Sequence, residues 1–163
     1  MIYKSYLVEK DINLVNKNLI LFYGENLGLK NDFKEKIKHS NKEAEIITFT
    51  QEEIIKDETP FFNEILNISL FEEEKIYFID QTSDKILETL QEIENKIDKQ
   101  KIFLFAELLD KRSKLRNYFE KSKNFVIVPC YADNEITIKN IVFEKLKGFE
   151  GLSTQNVNLI IDN

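Results

Sequence analysis

The residues best suited to chemistry are a glycine and a lysine six positions apart. In LILFYGENLGLKNDF, Gly24 follows an apolar run and Lys30 sits in an amphipathic one. A phosphate loop reads G-x-x-x-x-G-K-[ST], so the first glycine and the lysine have the required spacing. Leu29 stands where the second glycine would let the backbone curl around phosphates, and Gly28 comes one residue too early to replace it. Asn31 stands where a hydroxyl would hold magnesium. The later run KIYFID ends in Asp80, where a nucleotide-hydrolysing sheet presents its metal-associated carboxylate, but Gln81 follows it instead of a second acid. The run VPCY carries no arginine to reach a neighbour's nucleotide. Gly24, Lys30, Asn31 and Asp80 therefore read as a nucleotide site that has lost hydrolysis. Gly24 and Gly28 also read simply as tight-turn residues.

No other constellation supports an active site or a resident metal or cofactor. His39, the lone histidine, lies among Lys36, Lys38, Lys42 and Glu43 and is expected to be exposed. Cys130, the lone cysteine, has no histidine nearby and reads as a small apolar filler. It excludes an internal disulfide and fits a reducing cytosol. Glu72 to Glu74 read as solvated. The basic cluster Lys111, Arg112, Lys114, Arg116, Lys121 and Lys123 reads as a solvated helix face, with a minor contact to a partner or to DNA phosphates as the functional alternative.

The elements that would position these residues alternate. Five apolar runs, Leu19–Tyr23, Glu45–Thr50, Lys75–Asp80, Lys101–Ala106 and Phe125–Pro129, read as strands buried on both faces. Leu27–His39, Lys85–Ile97 and Leu115–Lys121 carry helical periodicity between them. The spacing predicts an α/β fold with a five-stranded parallel sheet and helices on both faces. Residues 51–74 are expected to hold at least two short helices, one with Pro60 in its first turn. The run PFFNEILNISLF is too apolar for one narrow stripe, so some of Phe61, Phe62, Ile65, Leu66, Leu70 and Phe71 are expected to face a partner. After Pro129 the pattern changes. Asn134 could cap one helix, Gly148 or Gly151 could end it, and Ser153 could cap a second. This predicts a domain over 1–133 and the first helices of a helical module over 134–163, cut within a larger protein.

Composition bounds the partners. The chain has 163 residues, 42% hydrophobic and 32% charged, with a net charge of −6. That is enough apolar material for a core, but it lacks the positive field of an autonomous nucleic-acid binder. No apolar run approaches the roughly 20 residues of a membrane span, and no signal peptide is evident. A cytoplasmic protein is expected.

Three segments resemble one family. LILFYGENLGLKNDF, NISLFEEEKIYFID and IFLFAELLDKRSKLRNYFEKS resemble, in order, the start, the "SLF" segment and the "LDKRSKL" run of the delta subunit of the bacterial DNA polymerase III clamp loader. The resemblance covers essentially all of the chain, with the last thirty residues resembling the start of the family's helical second domain. It implies a degenerate AAA+-like, P-loop NTPase-like domain that keeps the nucleotide fold without ATP binding. It also implies a non-catalytic subunit that grips the beta sliding clamp and helps open it.

By position, the gripping pair would be Leu70 and Phe71, flanked by Ser69 and Glu72. Each side chain could contribute on the order of 1.5–3 kcal/mol by burial in a clamp pocket. Periodicity alone favours the domain's own core for this pair; the resemblance points it outward. The acidic run after the pair has no assigned role. The other loader subunits are implied partners, through a C-terminal collar absent from this sequence, and primer-template DNA is implied only within the full complex. The alternatives are an active NTPase of related fold, a receiver-like signalling domain, or another loader subunit, which would carry an intact phosphate loop or zinc cysteines.

Overall fold

The computed structural model describes residues 1–66, 74–133, 135–149 and 153–161. They divide into two compact units, Met1–Tyr131 and Ala132–Asn163. The first unit carries helix α1 (Ser5–Lys10), strand β1 (Leu19–Tyr23), α2 (Leu27–Ser40), β2 (Glu45–Thr50), α3 (Gln51–Lys56) and α4 (Glu58–Leu66). It continues through β3 (Lys75–Thr82), α5 (Leu87–Ile93), β4 (Lys101–Ala106), α6 (Lys114–Lys121) and β5 (Val126–Pro129). The second unit carries α7 (Glu135–Lys145) and α8 (Thr154–Ile161), which pack together.

The five strands are parallel in the order β2-β3-β4-β1-β5, which puts β1 between β4 and β5. A receiver has the flavodoxin-like order 2-1-3-4-5, so the strand order removes that alternative. Successive side chains of a strand point to opposite faces, and β1 divides accordingly. Leu19, Leu21 and Tyr23 join Ile54, Phe61, Ile65, Leu90, Leu115 and Phe119 from α3 to α6 in one core. Ile20 and Phe22 join Val8, Phe33 and Ile37 from α1 and α2 in the other. Helices thus cover both faces, and β1 is buried throughout, as its unbroken LILFY predicts.

Several expectations shift at the edges. The second strand is not buried on both faces: β2 lies at the sheet's edge and none of its residues is fully buried. β3 runs two residues past Asp80, and Phe125 packs in the core just ahead of β5 instead of within it. The helix expected over 85–97 is a 3-10 turn at Asp84–Ile86 followed by α5, which stops at Ile93. Beyond Ile93 the N–H groups of Lys96 (2.8 Å) and Ile97 (3.1 Å) still donate to the Ile93 carbonyl, and Asn18 Nδ2 then donates to the carbonyls of Asp98 (2.6 Å) and Gln100 (3.1 Å), tying the chain to the segment ahead of β1. Gly28 is not a turn residue. It sits in the first turn of α2, where an added Cβ would meet nothing closer than Asn26 Oδ1 at 3.6 Å. In the second unit, α7 ends at Lys145, Gly148 has φ 102°, and Ser153 Oγ accepts from the Asn156 N–H at 3.2 Å as an N-cap. Among the described residues no helix is long and apolar enough to cross a membrane.

Candidate functional site

The carboxyl ends of β1, β4 and β5 meet at the Gly24 turn. Gly24 has φ 135°, and a Cβ there would lie 2.0 Å from the carbonyl oxygen of Cys130. Only glycine fits so close a backbone approach in that conformation. The Gly24 N–H donates to the Glu107 carbonyl (3.1 Å), the Asn26 N–H to the Cys130 carbonyl (3.1 Å), and the Cys130 N–H to the Tyr23 carbonyl (2.7 Å). The turn is therefore stitched to the segments that follow β4 and β5. Burial pushes the Cys130 thiol up to about 12, in keeping with a packing role.

Lys30 completes this arrangement from α2. Its side chain is buried, and Nζ donates to the carbonyls of Gly24 (2.8 Å) and Ala106 (2.7 Å). In a working phosphate loop the lysine and the backbone N–H groups converge on the ligand. Here the lysine turns inward and satisfies carbonyls at the ends of two strands. Burial pulls its ammonium below the ordinary lysine value, while the negative groups around it, Glu107 and Asp80 among them, act in the opposite direction. The α2 N-terminus has its own cap, Asn26 Oδ1 accepting from the Leu29 N–H at 3.0 Å. Leu29 packs against the core, and Asn31 points to solvent. To meet a phosphate, Lys30 would have to leave two buried carbonyls without partners.

Asp80 is also engaged within the chain. Its carboxylate accepts from Lys34 Nζ at 2.6 Å, and that ammonium lies 4.6 Å from the centre of the Phe105 ring. Lys34 was not anticipated, although four residues after Lys30 on α2 it had to share that helix face. Beyond Asp80 the strand is irregular: Gln81 has φ 57°, and Thr82 Oγ1 is buried without a hydrogen-bond partner among the described residues. Among the described residues no group of three or more His, Cys, Asp or Glu is placed to hold a metal.

The LDKRSKL run forms a pinned turn into α6. Asp110 Oδ1 accepts from the N–H groups of Arg112 (2.6 Å) and Ser113 (3.0 Å). Ser113 caps α6 by accepting from the Arg116 N–H at 3.1 Å, and its hydroxyl donates to Asp84 at 2.6 Å. The Asp84 carboxylate also accepts from the N–H groups of Lys114 (2.9 Å) and Leu115 (3.0 Å). Desolvation alone would raise its pKa, but these hydrogen bonds outweigh it and hold the carboxyl below the usual aspartate value. Lys111, Arg112, Lys114, Lys121 and Lys123 are exposed, as expected of a solvated face. Arg116 departs from that expectation: it pairs with Glu120 at 2.8 Å and lies 5.1 Å from the Tyr23 ring centre. The Tyr23 hydroxyl meets that of Tyr131 at 3.0 Å, so sequence placed this arginine in the wrong environment.

Ser69, Leu70, Phe71 and Glu72 lie outside the described residues. The flanks are firm. Phe61 and Ile65 of α4 are buried, with Phe62 and Leu66 packed against the same core, so these four of the six apolar residues turn inward. The Ile65 carbonyl accepts from Gln100 Nε2 at 2.9 Å, and Lys75 Nζ donates to Glu64 at 2.6 Å. The segment therefore leaves and rejoins described structure at the amino-terminal edge of the sheet.

No family model matches the sequence, and no curated protein matches it. Solved structures do. The chain is similar to the Bacillus subtilis DNA clamp loader delta protein at TM-score 0.62 and 15% identity, over 88% of this chain and 47% of that one. The likeness is one of fold. A Rhizobiales Trip13 (TM-score 0.57, 10% identity) and a chain of an E. coli HORMA:CdnC:Trip13 complex (0.51, 11%) share it over 94% and 97% of this chain. The chain spans about half the length of the first and 63% of each of the other two. Its first unit is a five-stranded parallel α/β domain, and a delta protein of the kind the sequence resembles is among the structures with this fold.

Proposed function

We propose that this chain is the clamp-binding part of a clamp-loader delta-like subunit. It grips a beta sliding clamp through Leu70 and Phe71, with Ser69 and Glu72 at the rim, and does not hydrolyse ATP. The observation that carries this reading is Lys30: on a nucleotide-binding topology, its ammonium is spent on the chain's own Gly24 and Ala106 carbonyls. The delta-like fold and the pinned LDKRSKL turn support it. Binding energy at the Leu–Phe pair would favour a clamp conformation with a strained or open interface, a population shift that needs no chemistry. Nucleotide dependence would enter through other loader subunits, DNA would be met only within the assembled complex, and the setting would be the cytoplasm. Residues 134–163 would begin a helical lid-like domain.

The test is surface plasmon resonance of the chain on the beta clamp of its source organism, with and without ATP. Binding should be indifferent to ATP and weaken at least about 100-fold in the Leu70→Ala/Phe71→Ala double variant, whose melting temperature should hold. A large loss of stability in that variant would put the pair in the core instead.

The second reading, an active NTPase, keeps the Gly24–Lys30 spacing in its favour. Micromolar, magnesium-dependent ATP binding by isothermal titration would bring it forward.

A further inference from the structure

At the amino-terminal edge of the sheet, opposite the Gly24 turn, a cleft of about 560 Å³ opens between the ends of α5 and α6 and the segments leading into β1 and β5. Its size lies within the range of small-ligand sites. One wall is aromatic: the Tyr118 and Phe125 rings are centred 5.3 Å apart, and Phe125 is backed by Phe119 at 5.5 Å. The rim is cationic. Lys17 and Lys121 both line the cleft, and neither makes an ion pair among the described residues. The one carboxylate in the lining, Glu94, already accepts from the Tyr118 hydroxyl. Asn95 and Asn124 add carboxamides that can both donate and accept. The result is a locally positive, aromatic-walled cleft in a chain of net charge −6.

We propose that this cleft binds a small planar ring carrying an anionic group, a carboxylate or a phosphate monoester. The ring would lie against Tyr118 and Phe125, and the anion would pair with Lys17 and Lys121. A ring without charge would leave the ammonium groups unused. A bare anion would gain only solvent-screened attraction from them.

The experiment is a two-dimensional amide NMR titration of the full 163-residue chain with AMP, benzoate, adenosine and inorganic phosphate. AMP or benzoate should shift amides of residues 94–97 and 121–125 with a Kd below about 1 mM, at least about tenfold tighter than adenosine or phosphate. Whichever of the two binds tighter identifies the phosphate or the carboxylate as the preferred anion. The Lys17→Ala/Lys121→Ala variant should lose at least about tenfold in affinity while its other resonances stay in place. Phosphate acting as strongly as AMP and benzoate would reduce the site to a pair of surface cations and overturn the proposal. So would the absence of shifts at about 10 mM of every probe, or unchanged affinity in the lysine variant.

Discussion

The two edges of this sheet treat lysine in opposite ways. At the carboxyl edge, Lys30 is buried and its ammonium joins strand-end carbonyls of the chain itself. At the amino edge, Lys17 and Lys121 border a cleft and make no ion pair among the described residues. Open parallel sheets ordinarily take ligands at the carboxyl ends of their strands, where loops and helix N-termini leave polar groups free. Here those groups have been satisfied internally, by Asn26 at the head of α2 and by Lys30 beneath the turn. The lysine at the phosphate-loop spacing holds strand-end carbonyls of the fold itself.

Four variants would break or sharpen that contrast. The largest effect is expected from Gly24→Ala, which forces a Cβ against the Cys130 carbonyl at a positive φ and should cost on the order of 3 kcal/mol in urea denaturation. A loss below about 1 kcal/mol would mean that the β5 end yields easily and the edge is looser than described. Next comes Lys30→Met, which keeps the bulk but strands two carbonyls and should cost about 2 kcal/mol. A neutral result would break the comparison, since Lys30 would then be no more engaged than Lys17.

Asp84→Asn should cost about 1 kcal/mol at neutral pH, the exposure of this carboxylate limiting the effect. Its native pKa is depressed, so its contribution is complete above the unfolded value of about 4 and is lost as pH falls through the native pKa. The gap between wild type and variant should therefore narrow in acid, measured by urea midpoints across that range. The smallest effect belongs to the Lys17→Ala/Lys121→Ala pair, within about 0.5 kcal/mol. A larger stability loss would show that the amino edge, too, uses its lysines structurally.

Sequence reading reached the architecture through local pattern. The unbroken LILFY and IFLFA runs announced central strands, and the spacing between runs announced the helices that cover them. It faltered where a residue's role depends on a distant partner. The spacing from Gly24 to Lys30 was visible, but Ala106, which receives the lysine, lies 76 residues away. The ion pair of Asp80 with Lys34 and the stacking of Arg116 on Tyr23 are likewise tertiary. EIITFT looked like the other strands because nothing local marks a sheet edge. Helix α1 escaped notice because it is six residues long and has no side-chain cap. The cleft at the amino edge is assembled from three separate segments, so no single motif could signal it.

The placement of β1 has a temporal consequence. It lies between β4 and β5 and touches no strand that precedes them in the chain, so its neighbours are synthesised last. At 5–20 residues per second, a ribosome needs on the order of 4–16 s to extend the chain by roughly eighty residues, from β1 to β4. Throughout that interval the most apolar strand of the domain has no pairing partner, while β2 and β3 can already pair. Folding of the sheet is therefore expected to begin at its periphery and close at its centre, with the emerging LILFY segment the one most in need of a chaperone.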